Sequence, residues 1–290
     1  MLYKVLQPGE TAVGAGACAL TIMAKAPRPG RVKTRLSPPL TPEQASDLNI
    51  CFLRDTAENI RQATEQAAEK QRSGSTSLPG VATCLGRDTL SSASLVASAS
   101  FSAACEADTS SGLGAGLVAY TPVGDEAAFD GLLPPDFQLL AQRGDGFGER
   151  LFYACEDLFA CGFSAVCLLD SDSPTLPQEA LSLAIEKLSR AGDRMVLGGC
   201  EDGGYYLIGV KRPHRGLFER IDWSTDRVFA QTLARANEIG LESELLPSWY
   251  DVDDAAALER LERELASGVA GYDATHTRAF LQKLRAVCPC

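Results

Sequence analysis

The sequence lacks several features that mark common functional classes. No apolar run reaches the roughly 20 residues that a membrane-spanning helix needs, so no membrane span is expected. Positive charge is scarce, with 27 Lys and Arg against 38 Asp and Glu and a net charge of −11. This balance argues against a nucleic-acid partner. The two histidines, His214 and His276, lie in no nucleophile motif, which argues against a Ser/His or Cys/His hydrolase.

No C-x-x-C pair occurs among the ten cysteines, whose spacings are scattered. The apolar segment 12–24 is preceded by Lys4 as its only basic residue, which favours a buried strand over an export signal. We therefore expect reduced thiols and a cytoplasmic protein. For Cys288 and Cys290 at the C-terminus, a frayed end with incidental thiols and a metal-binding or oxidisable pair both stay open.

Segments typical of strands alternate along the chain with segments of helical periodicity. Apolar runs at 18–24 and 165–169 predict buried strands, and Thr41 with Gln44 forms a capping box for a helix that ends near Lys70. Such alternation implies βαβ crossovers and a mainly parallel sheet with helices on both faces. In that architecture ligands gather at the carboxyl ends of the strands.

The composition divides the chain into one domain and three accessory segments. A single α/β domain is expected over 17–268, interrupted at 71–116 by a segment rich in Ser, Ala and Gly. This segment has too few large apolar side chains to form a core, so we predict a flexible insertion. Residues 1–16 and 269–290 are predicted terminal extensions.

Two aspartates follow the predicted strand at 165–169. Asp170 and Asp172 are two residues apart, so an extended backbone points both carboxylates to the same side. Like charges so close repel unless a cation compensates them, and oxygen ligands favour Mg²⁺ or Mn²⁺. The alternative is that Asp170 caps the following turn while Asp172 is solvated.

A basic loop follows the first strand in an otherwise acidic chain. Proline and glycine rigidify this loop, and its arginine and lysine side chains suit diphosphate oxygens. A solvated basic surface is the alternative. The basic residues of the loop are Lys25, Arg28, Arg31, Lys33 and Arg35.

Two further carboxylates have less specific contexts. Asp202 precedes glycine between two predicted strands, which is typical of a hairpin turn but also fits a catalytic base or an acceptor contact. Asp253 or Asp254 is a suitable helix N-cap, whereas Asp251 has no such structural role. Asp251 is therefore a candidate further metal ligand.

Five ordered motifs together resemble a known family: MAKAPRPGRVKTRL, LLDSDSPTLP, EDGGYYLIGV, WSTDRVFAQTL and WYDVDDAAALERL. The chain is similar to a bacterial family of largely unknown function with the GT-A nucleotide-diphospho-sugar transferase fold, some members of which are labelled arsenosugar-biosynthesis glycosyltransferases. At greater distance it is similar to the guanylyltransferases that act on phospholactate and molybdopterin. The resemblance implies a Rossmann-like, three-layer α/β/α fold with a mainly parallel sheet.

The resemblance also implies roles for individual residues. Asp170 and Asp172 become the D-x-D motif that binds Mg²⁺ or Mn²⁺. Beside it, the sequence contexts described above make Asp251 a possible further metal ligand and Asp202 a candidate catalytic residue. The phosphate-binding and nucleotide-binding set is Lys25, Arg31, Lys33, Arg35, Gln142, Gly144 and Asp145. The acceptor-binding set is Gly203, Gly204, Tyr205, Trp223, Ser224 and Thr225.

The expected function is metal-dependent transfer from a nucleotide-activated donor to a small-molecule acceptor. Glycosyl transfer from a nucleotide-diphospho-sugar is the first hypothesis. Nucleotidyl transfer from a nucleoside triphosphate, with release of pyrophosphate, is the second, and a non-catalytic nucleotide-binding module is the third. The sequence leaves open the donor nucleotide, its sugar, the acceptor, the stereochemical outcome and the oligomeric state.

Overall fold

The computed structural model describes residues 2–74, 113–268 and 271–287. Within these ranges eight strands form a single sheet. In chain order they are β1 (Lys4–Leu6), β2 (Cys18–Lys25), β3 (Gly114–Thr121), β4 (Gln138–Ala141), β5 (Ala165–Leu169), β6 (Arg194–Cys200), β7 (Tyr205–Val210) and β8 (Glu242–Trp249).

The strand order across the sheet is β1-β4-β3-β2-β5-β7-β6-β8. Strand β7 runs antiparallel to both neighbours, β5 and β6, and every other pair is parallel. Strands β6 and β7 are joined by the short turn 201–204, which is too short for a crossover and therefore forces the antiparallel step. The prediction of a mainly parallel sheet is confirmed.

Six α-helices cover the sheet in the described ranges. None of these helices combines the length and apolar character required to cross a membrane. They are α1 (Pro42–Gly74), α2 (Phe147–Ala160), α3 (Gln178–Ser189), α4 (Val228–Glu238), α5 (Ala255–Ser267) and α6 (Thr275–Val287), and three short 3-10 helices lie at Thr34–Leu36, Glu126–Phe129 and Arg215–Leu217.

Buried apolar side chains hold the helices against both faces of the sheet. On one face, Ile60 of α1 and Leu181 of α3 pack in a cluster with Leu20 of β2. On the other face, Leu158 of α2 packs in a second cluster with Ala19, the neighbour of Leu20 on β2. Each such fully buried leucine or isoleucine contributes about 1.5–3 kcal/mol to stability. The predicted three-layer α/β/α architecture is confirmed.

The predicted capping box opens α1. The Thr41 N–H donates to Gln44 Oε1 at 2.8 Å, and the Gln44 N–H donates to Thr41 Oγ1 at 3.2 Å. Farther along this helix, Asp55 accepts hydrogen bonds from the backbone N–H groups of His276 at 3.0 Å and Thr277 at 2.8 Å. Asp55 therefore caps the start of α6 from a different helix, which ties the C-terminal segment to the domain.

The predicted extensions carry two elements that the sequence did not indicate. Strand β1 pairs with β4 at the edge of the sheet, and α6 packs with α1 and α5. The predicted insertion at 71–116 falls mostly outside the described residues, although α1 continues to Gly74 and β3 begins at Gly114. Cys288 and Cys290 also lie outside the described residues.

The carboxyl ends of the central strands lie along one edge of the sheet. Lys25 ends β2, Thr121 ends β3, Cys200 ends β6, and Asp170 directly follows β5. Because parallel strands bring their carboxyl ends to the same edge, side chains that are distant in sequence meet there.

Candidate functional site

A cleft of about 750 Å³ opens at the carboxyl edge of the sheet. Most of the predicted site residues line it, whereas Gly144, Asp145 and Gly203 do not. Those that line it are Lys25, Arg31, Lys33, Arg35, Gln142, Asp170, Asp172, Asp202, Gly204, Tyr205, Trp223, Ser224, Thr225 and Asp251.

Asp170 forms the base of the cleft directly after β5. Its N–H donates to the Tyr206 carbonyl at 2.9 Å, which extends the pairing with β7. Its carboxylate accepts hydrogen bonds from the Ser173 hydroxyl at 2.9 Å and from the Asp172 N–H at 3.4 Å. Loss of hydration and then the charge of Asp172 raise the pKa of Asp170 well above its ordinary value.

Asp172 is held by the one ammonium group buried among these carboxylates. Lys33 Nζ lies 2.8 Å from Asp172 Oδ1, 3.0 Å from Asp253 Oδ1 and 2.8 Å from the Val252 carbonyl. The Lys33 side chain is only 4% exposed. Burial alone would lower the pKa of Lys33, but the charges of Asp172 and Asp253 outweigh it and the pKa is raised.

The contacts of Lys33, which the sequence analysis assigned to phosphate, lie within the protein. All three donors of the ammonium already have partners in the protein. The backbone of Lys33 is left-handed, with φ 49° and ψ 38°, which turns this side chain away from the path of the loop. Lys33 therefore links the loop after β2 to the residues after β5 and β8.

A second group of possible ligands lies at the ends of β6 and β8. Cys200, Asp202 and Asp251 each bring one ligand atom within 4.8 Å of the others. Among the described residues, this is the group of three whose ligand atoms lie close enough together to share a metal ion. The ligand atoms of the predicted metal site, Asp170, Asp172 and Asp251, do not all lie within this distance of one another. The two sets share Asp251, because the segment after β8 passes between them.

Both Cys200 and Asp251 hold protons more tightly than usual. Burial and the charge of Asp170 raise the pKa of the Cys200 thiol, so this sulfur stays protonated near neutral pH. Burial and then the charges of Asp202 and Asp253 raise the pKa of Asp251 to about 6. The cleft therefore concentrates carboxylates without supplying a thiolate.

The opposite wall of the cleft carries cations. Lys25, Arg31 and Arg35 are exposed there, and within the described ranges they make no ion pair or hydrogen bond. Arg28, from the same loop, instead pairs with Asp125 outside the cleft. Exposed arginines with open donors suit anionic oxygens, because each guanidinium can bind two of them side by side.

An aromatic wall closes a third side. The rings of Trp223 and Phe147 meet edge to face, with centroids 5.1 Å apart, and those of Trp223 and Tyr205 are 6.4 Å apart. Phe147 is 42% exposed at the cleft mouth, and the Arg150 guanidinium lies 5.6 Å from its ring. The Tyr205 hydroxyl is buried without a partner, so Tyr205 offers its ring and not its hydroxyl to a ligand.

Several predicted contacts have structural roles in this conformation. Gln142 Nε2 donates to the Ala119 carbonyl at 2.7 Å and thereby joins the end of β4 to β3. Gly144 has a φ of +107°, and the Asp145 N–H donates to Glu149 Oε2 at 2.9 Å at the start of α2. Of these three residues only Gln142 lines the cleft.

The turn between β6 and β7 is fixed against the start of α4. Gly203 has a φ of +90°, and a Cβ at this position would lie 2.1 Å from the Asp226 carbonyl oxygen. The Gly203 carbonyl accepts from the Phe229 N–H at 2.8 Å. Asp202 Oδ1 accepts from the Gly204 N–H at 2.8 Å, which orients its carboxylate. Thr225 Oγ1 donates to the Asp222 carbonyl at 2.7 Å and so serves the neighbouring turn.

Two cleft residues were missed in the sequence. Asn49 of α1 is 4% exposed, lines the cleft and leaves its Oδ1 without a hydrogen-bond partner. Arg150 of α2 also lines the cleft and donates to the Asp145 carbonyl at 3.1 Å. The sequence offered one signal for Asn49: it is a polar residue four positions before Leu53, on the apolar face of α1.

Comparison with known proteins bears on the family and the fold. Residues 105–225 match the model of DUF2064, described as an uncharacterized protein conserved in bacteria. No curated protein matches the chain. A crystal structure from Desulfovibrio desulfuricans G20, provisionally assigned as a nucleotide-diphospho-sugar transferase, has a TM-score of 0.69 and 24% identity. The match covers 94% of this chain and 96% of that one.

Two more distant structures are also similar. A cytidylyltransferase from Leptospira borgpetersenii serovar Hardjo-bovis has a TM-score of 0.46 and 11% identity, with 94% and 96% of the chains covered. A CMP:2-keto-3-deoxy-manno-octonic acid synthetase complexed with CTP has a TM-score of 0.45 and 12% identity, with 88% and 100% covered. Both scores are too low to carry an argument. The chain thus has a nucleotide-diphospho-sugar transferase-like, Rossmann-like fold and resembles a bacterial family of uncharacterised function, as its motifs indicated.

Proposed function

We propose that the protein is a metal-dependent transferase that uses a nucleotide-activated donor, and that it transfers a sugar from a nucleotide-diphospho-sugar. The observation that carries this proposal is the pairing of opposite charges across one cleft. Carboxylates at the ends of β5, β6 and β8 line the same cleft as the side chains of Lys25, Arg31 and Arg35, which have no ion-pair partner among the described residues. A diphosphate bound through a divalent cation presents matching charge to both walls.

The carboxylate wall fits a hard divalent cation. Burial, and then repulsion from neighbouring carboxylates, raises the pKa values of Asp170 and Asp251, and the Lys33 ammonium is buried beside Asp172. The carboxylates offer oxygen ligands, which favour Mg²⁺ or Mn²⁺ over zinc. Asp170, Asp172 and Asp251 would hold the ion, which requires their carboxylates to move closer together than they lie in this conformation, and the ion would neutralise the leaving diphosphate.

The protein's own side chains supply the remaining roles. Arg31 and Arg35 bind phosphate oxygens as bidentate donors, and Lys25 adds a point charge at the end of β2. Asp202 is exposed at the cleft with its carboxylate oriented by the Gly204 N–H, so it accepts a proton from an acceptor hydroxyl. The ring of Trp223 packs against the acceptor and keeps water from that side of the cleft.

Nucleotidyl transfer is the second candidate, and one observation favours it. Arg150 lies in the cleft on α2, so the cationic surface extends beyond the loop that carries Arg31 and Arg35. A triphosphate together with a phosphorylated acceptor would use this larger surface. The acceptor phosphate would then attack the α-phosphorus, and pyrophosphate would leave.

Calorimetry across nucleoside diphosphates, triphosphates and nucleotide sugars tests the proposal, each with Mg²⁺ and with Mn²⁺. We expect metal-dependent binding that is lost in Asp172→Ala and retained in Asp136→Ala, an exposed aspartate outside the cleft. Absence of nucleotide binding with either ion, or unchanged binding in Asp172→Ala, would overturn it.

Product analysis separates the classes of reaction. Release of a nucleoside diphosphate from a nucleotide sugar supports glycosyl transfer, whereas release of pyrophosphate from a triphosphate supports nucleotidyl transfer. Tight binding without turnover with any acceptor supports a non-catalytic nucleotide-binding module.

A further inference from the structure

Asn49 is a buried amide that the fold leaves unsatisfied at the edge of the cleft. The residue is 4% exposed, its Oδ1 is sealed from solvent, and the amide makes no hydrogen bond within the described residues. Its side chain nevertheless lines the cleft. A buried polar group without a partner is unfavourable for folding, so its presence beside a ligand space points to a contact made by the ligand.

The position of Asn49 places this contact near the metal side of the cleft. Asn49 and Phe52 are three residues apart on α1 and therefore share one face of the helix. The Phe52 ring lies 5.3 Å from Lys33 Nζ, and that ammonium lies 2.8 Å from Asp172 Oδ1. The amide thus lies on the same side of the cleft as Asp172 and across from the aromatic wall.

The chemistry of an amide restricts what it binds. One end of the amide donates hydrogen bonds and the other accepts them, whereas a phosphate oxygen only accepts. A hydroxyl group both donates and accepts, so it pairs with Asn49 whichever way the amide is turned.

We propose that Asn49 is a specificity-determining residue that binds hydroxyl groups of the sugar on the donor. The proposal rests on the proposed function, in which the ion at Asp172 holds the diphosphate and the sugar follows the second phosphate. Asn49 therefore selects a nucleotide sugar over the free nucleoside diphosphate. A site built to hydrogen-bond a hydroxyl rejects a ligand that lacks it, because the polar group is then left unpaired.

The test compares two ligands that differ only in the sugar. Calorimetry in the presence of Mg²⁺ would use UDP with UDP-glucose and GDP with GDP-mannose, on the wild-type chain and on Asn49→Leu and Asn49→Ala. For the pair that binds, we expect both variants to lose about tenfold in affinity for the nucleotide sugar and to retain affinity for the diphosphate within about twofold.

Asn59 supplies a matched control on the same helix. It is 2% exposed and also has an unpartnered Oδ1, but its Nδ2 donates to the Leu176 carbonyl at 2.7 Å, and it does not line the cleft. Asn59→Leu is expected to lower the melting temperature without selective loss of the nucleotide sugar. Asn49→Leu is expected to leave the melting temperature unchanged or raised, because no hydrogen bond is removed.

The outcomes separate this inference from the proposed function. Suppose that the wild-type chain binds the diphosphate and that the Asn49 variants lose affinity equally for the diphosphate and the nucleotide sugar, or lose affinity for neither. The proposed contact with the sugar is then wrong, whereas the nucleotide site is unaffected. If the wild-type chain binds no nucleoside diphosphate, triphosphate or nucleotide sugar of the wider calorimetric series, both proposals fail. A melting temperature that falls as far in Asn49→Leu as in Asn59→Leu assigns Asn49 a structural role and overturns the inference.

Discussion

Replacing Asp251 by asparagine is expected to stabilise the metal-free protein at neutral and alkaline pH. Burial and the charges of Asp202 and Asp253 raise the pKa of Asp251 from 3.8 to about 6. Because the folded state then binds the proton more tightly than the unfolded state, ionisation of this group destabilises the fold. The penalty is absent below about pH 4 and is complete above about pH 6.

The size of the effect follows from the shift. A difference of about two pKa units corresponds to about 3 kcal/mol in the free energy of unfolding. Asp251 is partly exposed, so solvent screening reduces this to about 1–2 kcal/mol. Asparagine keeps nearly the same shape and removes the charge, so Asp251→Asn recovers this free energy at high pH and nothing at low pH.

Urea denaturation with a chelator present, at about pH 8 and about pH 4, measures the free energy of unfolding of the wild type and the variant. The quantity of interest is their difference at each pH, because distant carboxylates titrate equally in both proteins. Loss of the Asp251 charge also makes ionisation of Asp170 easier, which adds to the stabilisation at high pH. Asp136→Asn, on an exposed loop, serves as the control. If Asp251→Asn is equally stable relative to wild type at both pH values, or is destabilised at high pH, the electrostatic reasoning is wrong.

Three other predictions concern separate parts of the molecule. Lys33→Met removes an ammonium with three protein partners and is expected to cost about 3 kcal/mol in urea denaturation, and an unchanged midpoint would contradict it. Arg35→Ala is expected to weaken nucleotide binding by about 1.5–3 kcal/mol in calorimetry without loss of stability, whereas the exposed control Arg212→Ala leaves binding unchanged. Asp55→Ala removes the cap of α6 and is expected to cost about 2 kcal/mol while sparing nucleotide binding, so loss of both would refute a purely structural role.

The sequence predicted the sheet and the location of the site because both depend on local patterns. Asp170 and Asp251 follow runs that read as strands, and parallel strands place their carboxyl ends at one edge whatever the rest of the chain does. The basic loop was placed at the same edge because it follows β2. Helical periodicity and the capping box of Thr41 and Gln44 likewise predicted the start of α1.

The details of the site could not be predicted, because they depend on contacts between distant segments. Lys33 and Val252 are 219 residues apart, and no local pattern indicates that the ammonium turns toward the segment after β8. In the sequence, Asn49 is indistinguishable from any other polar residue of an amphipathic helix, and only the structure shows that it lines the cleft. Strand β1 was missed because three residues at an edge give too short a pattern to recognise.

If the proposed function is correct, we expect the divalent ion and the nucleotide to bind cooperatively, because the cleft carries charges of both signs. Lys33 compensates only part of the carboxylate wall, and Arg31 and Arg35 on the opposite wall have no partner among the described residues. A divalent ion alone neutralises one wall and a nucleotide alone neutralises the other, whereas together they satisfy both and also bind each other. Linkage then requires that each raises the affinity of the other by the same factor, typically about 5-fold to 150-fold. Titrating Mg²⁺ with and without saturating nucleotide measures how much the nucleotide raises the affinity for the ion. Titrating nucleotide with and without saturating Mg²⁺ measures how much the ion raises the affinity for the nucleotide. If neither affinity changed, the two walls would not share a ligand.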